Sequence, residues 1–384
     1  MKQASSTLIE LTEAVYDLGM EDGAWMPNLL QVALPILDHG LGVAATAYTR
    51  DPNAPDFTVH QKFVVSGPPD LLARIDRVVG EWPREVYREL LRPGIVSTLS
   101  EVAADYPECL EAYARHIEGC RDVFGMTAVD PNGFGILVFA FLPEVTRLKG
   151  RERDLWKMVG AHVAAGHRLR RAVVAAESST GLPRDAEAVI DPTRLQLTDA
   201  AGLAQNKEAA NALREAAVQI DRARGKTRKS DPAAAIEMWK GLTEGRWSLV
   251  DWFDSDDRRF MLALPNAPRV IDPRGLSERE SLVATYAIHG DSAKLIGYRL
   301  GISKATVSSV LHGPNWSNDS VRSSPPRSAY ALMSSRSSGV ESVPPATLLG
   351  LLPPLPLDKP RRRCKPKVRR QRHHGELPRR FGKG

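Results

Sequence analysis

Ser277 with Glu280, Ser292, and Ser303 with Thr306 stand just ahead of three short apolar runs, so the chemistry they offer is hydrogen bonding rather than bond-making. A serine so placed accepts from the orphan amides of a helix's first turn, and a glutamate three residues on reaches back to complete a capping box. Lys294 and Lys304 set cations beside the second and third runs, where they would attract phosphate. Lys304, Ala305, Ser308, Ser309 and His312 fall on one side of a helix, with Val307, Val310 and Leu311 on the other. A polar helical face of that kind fits the major groove of a duplex.

Chemistry of other kinds finds no constellation. There is no HExxH, no GxxxxGK[ST], no nucleophile elbow and no GxGxxG after a strand, so no catalytic residue and no cofactor is assigned. Cys109, Cys120 and Cys364 form no CxxC pair and have no histidine at ligand spacing, so they read as reduced thiols. DPNGFG and DSDD lack the ligand order of a calcium loop and read as hairpin turns. His162 and His167 are five residues apart, roughly 140° around a helix, and cannot share a metal. Both read as solvated or core-edge residues, and no metal site is assigned.

The elements that must position the polar face are local. The first helix begins at Ser277 and carries Leu282, Val283 and Tyr286; Gly290 ends it. Ser292 caps a second, with Leu295, Ile296 and Leu300 inward, Gly301 makes the sharp turn, and Ser303 caps the third.

These residues resemble the LuxR-type helix-turn-helix regulators. The match runs in register through Leu276, Ser277, Arg279, Glu280, Gly290, Ser292, Lys294, Ile296, Leu300, Gly301, Ile302, Ser303, Thr306, Val307 and Leu311. The resemblance implies an all-α DNA-binding module over 273–312, double-stranded DNA as partner, a homodimer on a two-fold operator, and a role in transcription regulation. Lys294 and Lys304 would then be phosphate or groove contacts, and Ser308, Ser309 and His312 the base-facing side chains. Ser303 and Thr306 would be caps and backbone-phosphate donors. Two departures stand out: Ser308 sits where the family often has lysine, and Gly313 and Pro314 follow His312 where the family's third helix continues toward a fourth.

With 384 residues, two or three domains are expected, in an α+β architecture. Residues 6–175 read as one unit. SSTLIELTEAVYDLGM and MPNLLQVALPILDHG are helical, with extended stretches near 43–49, 57–65, 120–130 and 133–142, a turn at Asp130–Gly133, and a long exit helix over 150–175. That layout resembles GAF-like domains, which implies a sensor for a small-molecule or protein signal whose identity is unknown. Trp25, Phe63, Trp82, Phe124, Phe134 and Phe139 read as either a ligand lining or plain core, with core the commoner fate of aromatics. The exit helix offers Leu155, Met158, Val159, His162, Val163, Leu169 and Val173 on one side, a stripe through which two copies would pair. Residues 185–268, with two short strands, two helices and a hairpin in which Trp247, Leu249, Phe260 and Leu262 alternate with polar residues, resemble a small PAS-like module.

Charge is unevenly divided. From Trp316 onward 15 Lys and Arg face 4 Asp and Glu, a balance of +11 that leaves −5 of the chain's +6 for residues 1–315. The segment Leu276–Leu311 nets +1, so a lone module would bind DNA weakly and with strong salt dependence. Residues 313–384 are Ser-, Pro- and Arg-rich without periodicity and are expected to be disordered. Two readings stay open there: a phosphate-binding arm, or the product of a reading-frame slip in a GC-rich gene. The second carries an alternative function, a ligand- or partner-binding sensor whose truncated helix-turn-helix no longer binds DNA. The N-terminus lacks a signal-peptide pattern and no window is apolar enough to span a membrane, so the expected location is cytoplasmic with no membrane partner.

Overall fold

The computed structural model describes residues 2–50, 57–83, 86–87, 90–91, 94–176, 186–253, 256–266 and 276–312. The expected disordered tail and both readings of it lie outside the described residues.

Two helices lead the chain, α1 (Lys2–Val15) and α2 (Trp25–Leu37). The alternating run that follows becomes β1 (Val43–Arg50), paired antiparallel with β2 (Phe57–Val64). After α3 (Leu71–Gly80) come β3 (Val96–Thr98), the short helix α4 (Leu99–Val102), α5 (Pro107–His116), β4 (Asp122–Val129) and β5 (Phe134–Leu142). The five strands form one sheet in the order β2-β1-β5-β4-β3, with Ala45 opposite Val138 and Phe124 opposite Ala140.

Because side chains alternate along a strand, this sheet has two distinct faces. Val43, Ala45, Phe124, Met126, Ala128, Ile136, Val138 and Ala140 belong to a core shared with α1, α2 and the long helix α6 (Gly150–Ala176). Ala44, Val123, Phe139 and Phe141 pack under α3 and α5.

A second sheet, β7-β6-β9-β8, is built from β6 (Ala188–Asp191), β7 (Gln196–Ala200), β8 (Trp247–Phe253) and β9 (Arg259–Pro265). The helices α7 (Lys207–Arg222) and α8 (Pro232–Met238) lie between its two hairpins in sequence. Its core is continuous with that of the first sheet: Ile190, Leu213, Ile236, Trp239 and Leu262 join the same cluster as Leu8 and Met158.

The expected alternation in β8 does not hold. Trp247, Ser248, Leu249 and Val250 are all buried, because the strand is covered on both faces. Ser248 Oγ donates to the Gly241 carbonyl at 3.0 Å and neighbours Asn266, whose side-chain oxygen accepts from Arg168 of α6 at 2.6 Å.

The long helix is where expectation and structure part most clearly. From Trp156 to Arg170 every residue except Lys157 and His167 is buried, so this stretch is an internal strut with no face left for a second copy. Gly166 shows how close the packing is: a Cβ there would lie 2.3 Å from Val15 Cγ1. His162, expected at the core edge or in solvent, is 0% exposed. His167 is half-buried and stacks on Trp25 with ring centroids 6.2 Å apart.

Three helices close the described chain: α9 (Glu278–Ile288), α10 (Ala293–Leu300) and α11 (Lys304–Leu311). Leu282, Val283, Tyr286, Ile296, Leu300 and Val307 form their core, and Leu242 from the loop after α8 plugs into it. Each such side chain taken out of water contributes about 1.5–3 kcal/mol, ample for three short helices that would be marginal alone.

Candidate nucleic-acid interface

Local hydrogen bonds set the three helices end to end. Ser277 Oγ accepts from the Glu280 amide at 3.3 Å while Glu280 Oε2 accepts from the Ser277 amide at 2.8 Å, the complete capping box. These bonds hold the Glu280 carboxyl below its ordinary range. Ser292 accepts from Leu295 N at 3.3 Å, and Ser303 accepts from Thr306 N at 3.0 Å. Gly290 and Gly301 take the left-handed backbone at φ +85° and +64°.

With α10 buried from Leu295 to Leu300, α11 is left to present a polar side outward. Ser303, Lys304, Ala305, Ser309 and His312 are exposed, and Thr306 and Ser308 are half-buried. Thr306 Oγ1 lies 2.8 Å from Ser303 Oγ, so its hydroxyl joins the one that caps the helix. His312 folds back on its own helix, its Nδ1 2.8 Å from the Ser308 carbonyl, which also accepts from the His312 amide.

The cations are divided in a way that spacing alone does not reveal. Arg279 pairs with Glu244 at 2.9 Å, Lys294 with Glu237 at 3.1 Å, and Arg299 with Asp291 at 2.7 Å. Lys304 has no acidic partner among the described residues. Lys294 therefore stands on the helix predicted for it, but its ammonium is turned to the preceding module. Glu237 and Glu244 were not foreseen, since nothing local links them to lysine and arginine some 57 and 35 residues away.

A buried polar chain ties the helices to the rest of the protein. Tyr16 O–H lies 2.9 Å from His162 Nδ1, and His162 Nε2 lies 2.7 Å from Tyr298 Oη. Tyr298 in turn reaches the carbonyls of Ile236 at 2.8 Å and Trp239 at 2.9 Å. A phenol has one proton, and those carbonyls can only accept, so Tyr298 donates to them and takes the His162 Nε2–H. Nδ1 is then the acceptor for Tyr16, and one tautomer satisfies the whole chain.

Burial pulls the His162 imidazole down to about 3, while an unfolded histidine protonates near 6.5. The unfolded state alone takes up the proton between these values. Its contribution to stability is full above pH 6.5 and declines by about 1.4 kcal/mol for each pH unit below that. His167 and His289, each lowered to about 4 by burial, act in the same direction. Denaturant titrations at pH 7 and pH 5 should differ by about 2 kcal/mol from His162 alone, and His162→Gln should flatten the dependence. A chain equally stable at both values would mean that His162 is solvated.

Three capped helices with a left-handed glycine between the second and third, and a polar exposed side on the third, define a helix-turn-helix module. Residues 274–312 match the bacterial regulatory proteins of the luxR family, a non-catalytic regulatory fold, and the fifteen positions noted above lie inside the matched segment. No curated protein matches the chain. Among the described residues no helix is long and apolar enough to cross a membrane, and no three metal-binding side chains converge.

Proposed function

We propose that the chain is a one-component transcription regulator of LuxR type that binds double-stranded DNA through α11 and reads a signal in its N-terminal domain. The observation that carries it is the exposed polar side of α11, bearing Lys304 and Ser309, on a module otherwise folded against the core. Ser303, Lys304 and Thr306 contact phosphate or the groove, Lys294 joins them once it leaves Glu237, and Ser308, Ser309 and His312 face the bases. The strand order β2-β1-β5-β4-β3, with helices on both faces, supports the GAF-like reading of residues 6–175. The four-stranded sheet with its two helices supports the small PAS-like module.

Between the first sheet and α3 lies a cavity of about 190 Å³ that would hold the signal. Of the six aromatics considered for a lining, Trp82 and Phe139 border it; Trp25 and Phe124 belong to the core on the other face. Because α6 is buried from Trp156 to Arg170 save for Lys157 and His167, pairing of two copies on a two-fold operator uses another surface.

Anisotropy titrations of the full chain against a random duplex at two salt concentrations test this. Lys304→Glu should weaken binding at least tenfold at low salt and reduce the slope of log affinity against log salt by about 1. Glu237→Gln releases Lys294 and should strengthen binding severalfold. One observation favours the alternative, a sensor that has lost DNA: three of the module's four cations already face carboxylates of this chain. Wild type and Glu237→Gln both failing to bind at low salt would establish that alternative.

A further inference from the structure

We infer that the cavity takes a small, neutral, ring-bearing molecule with a hydrogen-bond acceptor; the inference rests on the sensor reading above and names the class of its signal. Its floor is the sheet face that carries Tyr48, Gly125 and Phe139, and its walls include Trp82, Tyr87 and Tyr113. The wall aromatics form a continuous frame, with ring centroids 5.3 Å apart for Phe57 and Tyr87, 5.6 Å for Trp82 and Tyr87, and 5.6 Å for Trp82 and Tyr113. A cavity of about 150 Å³ suffices for benzene, so about 190 Å³ holds one substituted ring.

Charge is excluded by the lining. Among the described residues Lys62 is the one charged side chain along it, and Asp76 already pairs with that ammonium. An ion entering among these rings would lose its hydration without a counter-charge. Two polar lining groups, one on the floor and one on a wall, point to an acceptor. Tyr48 is 1% exposed, and its hydroxyl and the Trp82 Nε1–H are buried without hydrogen-bond partners among the described residues. Burial keeps the Tyr48 phenol protonated, so both are donors in want of an acceptor.

The same wall touches the helix-turn-helix. Leu90, Leu91 and Ile95 border the cavity, and Gly94 between them sits against Asp291 and Arg299: a Cβ on it would lie 2.6 Å from Asp291 Oδ1. A ligand that displaces Gly94 presses on the buried Asp291–Arg299 pair, which ties the turn before α10 to that helix.

Calorimetric titration and thermal melting of the full chain with acetophenone, ethylbenzene and benzoate test the class. Acetophenone should bind saturably and raise the melting temperature, with ethylbenzene and benzoate each at least tenfold weaker. Gly125 offers a blocking variant, since a Cβ there meets nothing nearer than Ser97 O at 3.8 Å. Gly125→Leu should abolish acetophenone binding and keep or raise the melting temperature of the ligand-free chain. Val79→Phe, on the opposite wall, repeats the block should Gly125→Leu not fold. No binding of acetophenone, equal affinity for benzoate or ethylbenzene, or undiminished binding by the blocked variants overturns the inference. Duplex titration without ligand fails or succeeds independently, so loss of the regulator reading and loss of the ligand class are separable.

Discussion

Tyr298→Phe should lower the stability of the chain by about 3 kcal/mol, far more than deleting one exposed hydroxyl, because three polar groups lose their partner at once. Tyr298 is 3% exposed, so water does not replace the oxygen. His162 Nε2–H loses its acceptor at 2.7 Å, and the carbonyls of Ile236 and Trp239 lose their donor. Phenylalanine fills the same volume, so the loss is one of hydrogen bonding, not of packing. Denaturant unfolding followed by circular dichroism gives the magnitude. A cycle with His162→Phe should return a coupling of about 1–2 kcal/mol, since both changes break one chain of bonds.

The same variant carries a structural readout. Tyr298 sits on α10, whereas its partners sit on α6 and around α8, so the hydroxyl is a weld between the helix-turn-helix and the internal strut. Amides of α10 and α11 should exchange faster in Tyr298→Phe while those of β4 and β5 keep their protection. Uniform loss of protection would mean that the module does not open on its own.

What could be read in advance was what is encoded locally. Ser277 and Glu280 are three residues apart, Gly290 and Gly301 each end a helix within one turn, and Ser303 caps the next, so spacing alone located them. The aromatic lining could not be read so. FGILVFAFL is apolar at every position, and nothing in it says whether Phe139 or Val138 faces α3 and α5; the sheet pairs Phe139 with Gly125 and Val138 with Met126 on opposite faces. The three-residue β3 is too short to show a period. The burial of His162 is carried by Gly160, Ala161, Ala164, Ala165 and Gly166, small residues whose neighbours pack against the helix away from its large apolar side chains. Small residues on the second side of a helix mark close approach, and the two arginines buried near its end, Arg168 and Arg170, are each met by an oxygen acceptor. The partners of Lys294 and Arg279 lie in another module, and no local rule reaches them.

Gly301→Ala tests whether the turn that aims α11 is held from outside the module. An alanine at φ +64° costs about 1–2 kcal/mol from backbone conformation alone. Its Cβ would also lie 1.8 Å from the Leu242 carbonyl oxygen, a backbone atom that no rotamer moves aside. Leu242 itself is fixed, since it fills the helix-turn-helix core and the nearby Gly245 amide donates to the Leu300 carbonyl. Relief therefore requires that the loop after α8 and the end of α10 separate. Gly290 supplies the control: it shares the left-handed backbone, at φ +85°, but a Cβ there meets nothing within 4 Å. Gly290→Ala should lose only the conformational part, about 1–2 kcal/mol, with duplex binding nearly intact. Gly301→Ala should lose at least about 2 kcal/mol more and weaken duplex binding more than tenfold, because α11 can no longer keep its aim. Equal losses in melting and anisotropy for the two variants would mean that the turn swings clear of Leu242 at no cost, and that the module sets the direction of α11 by itself.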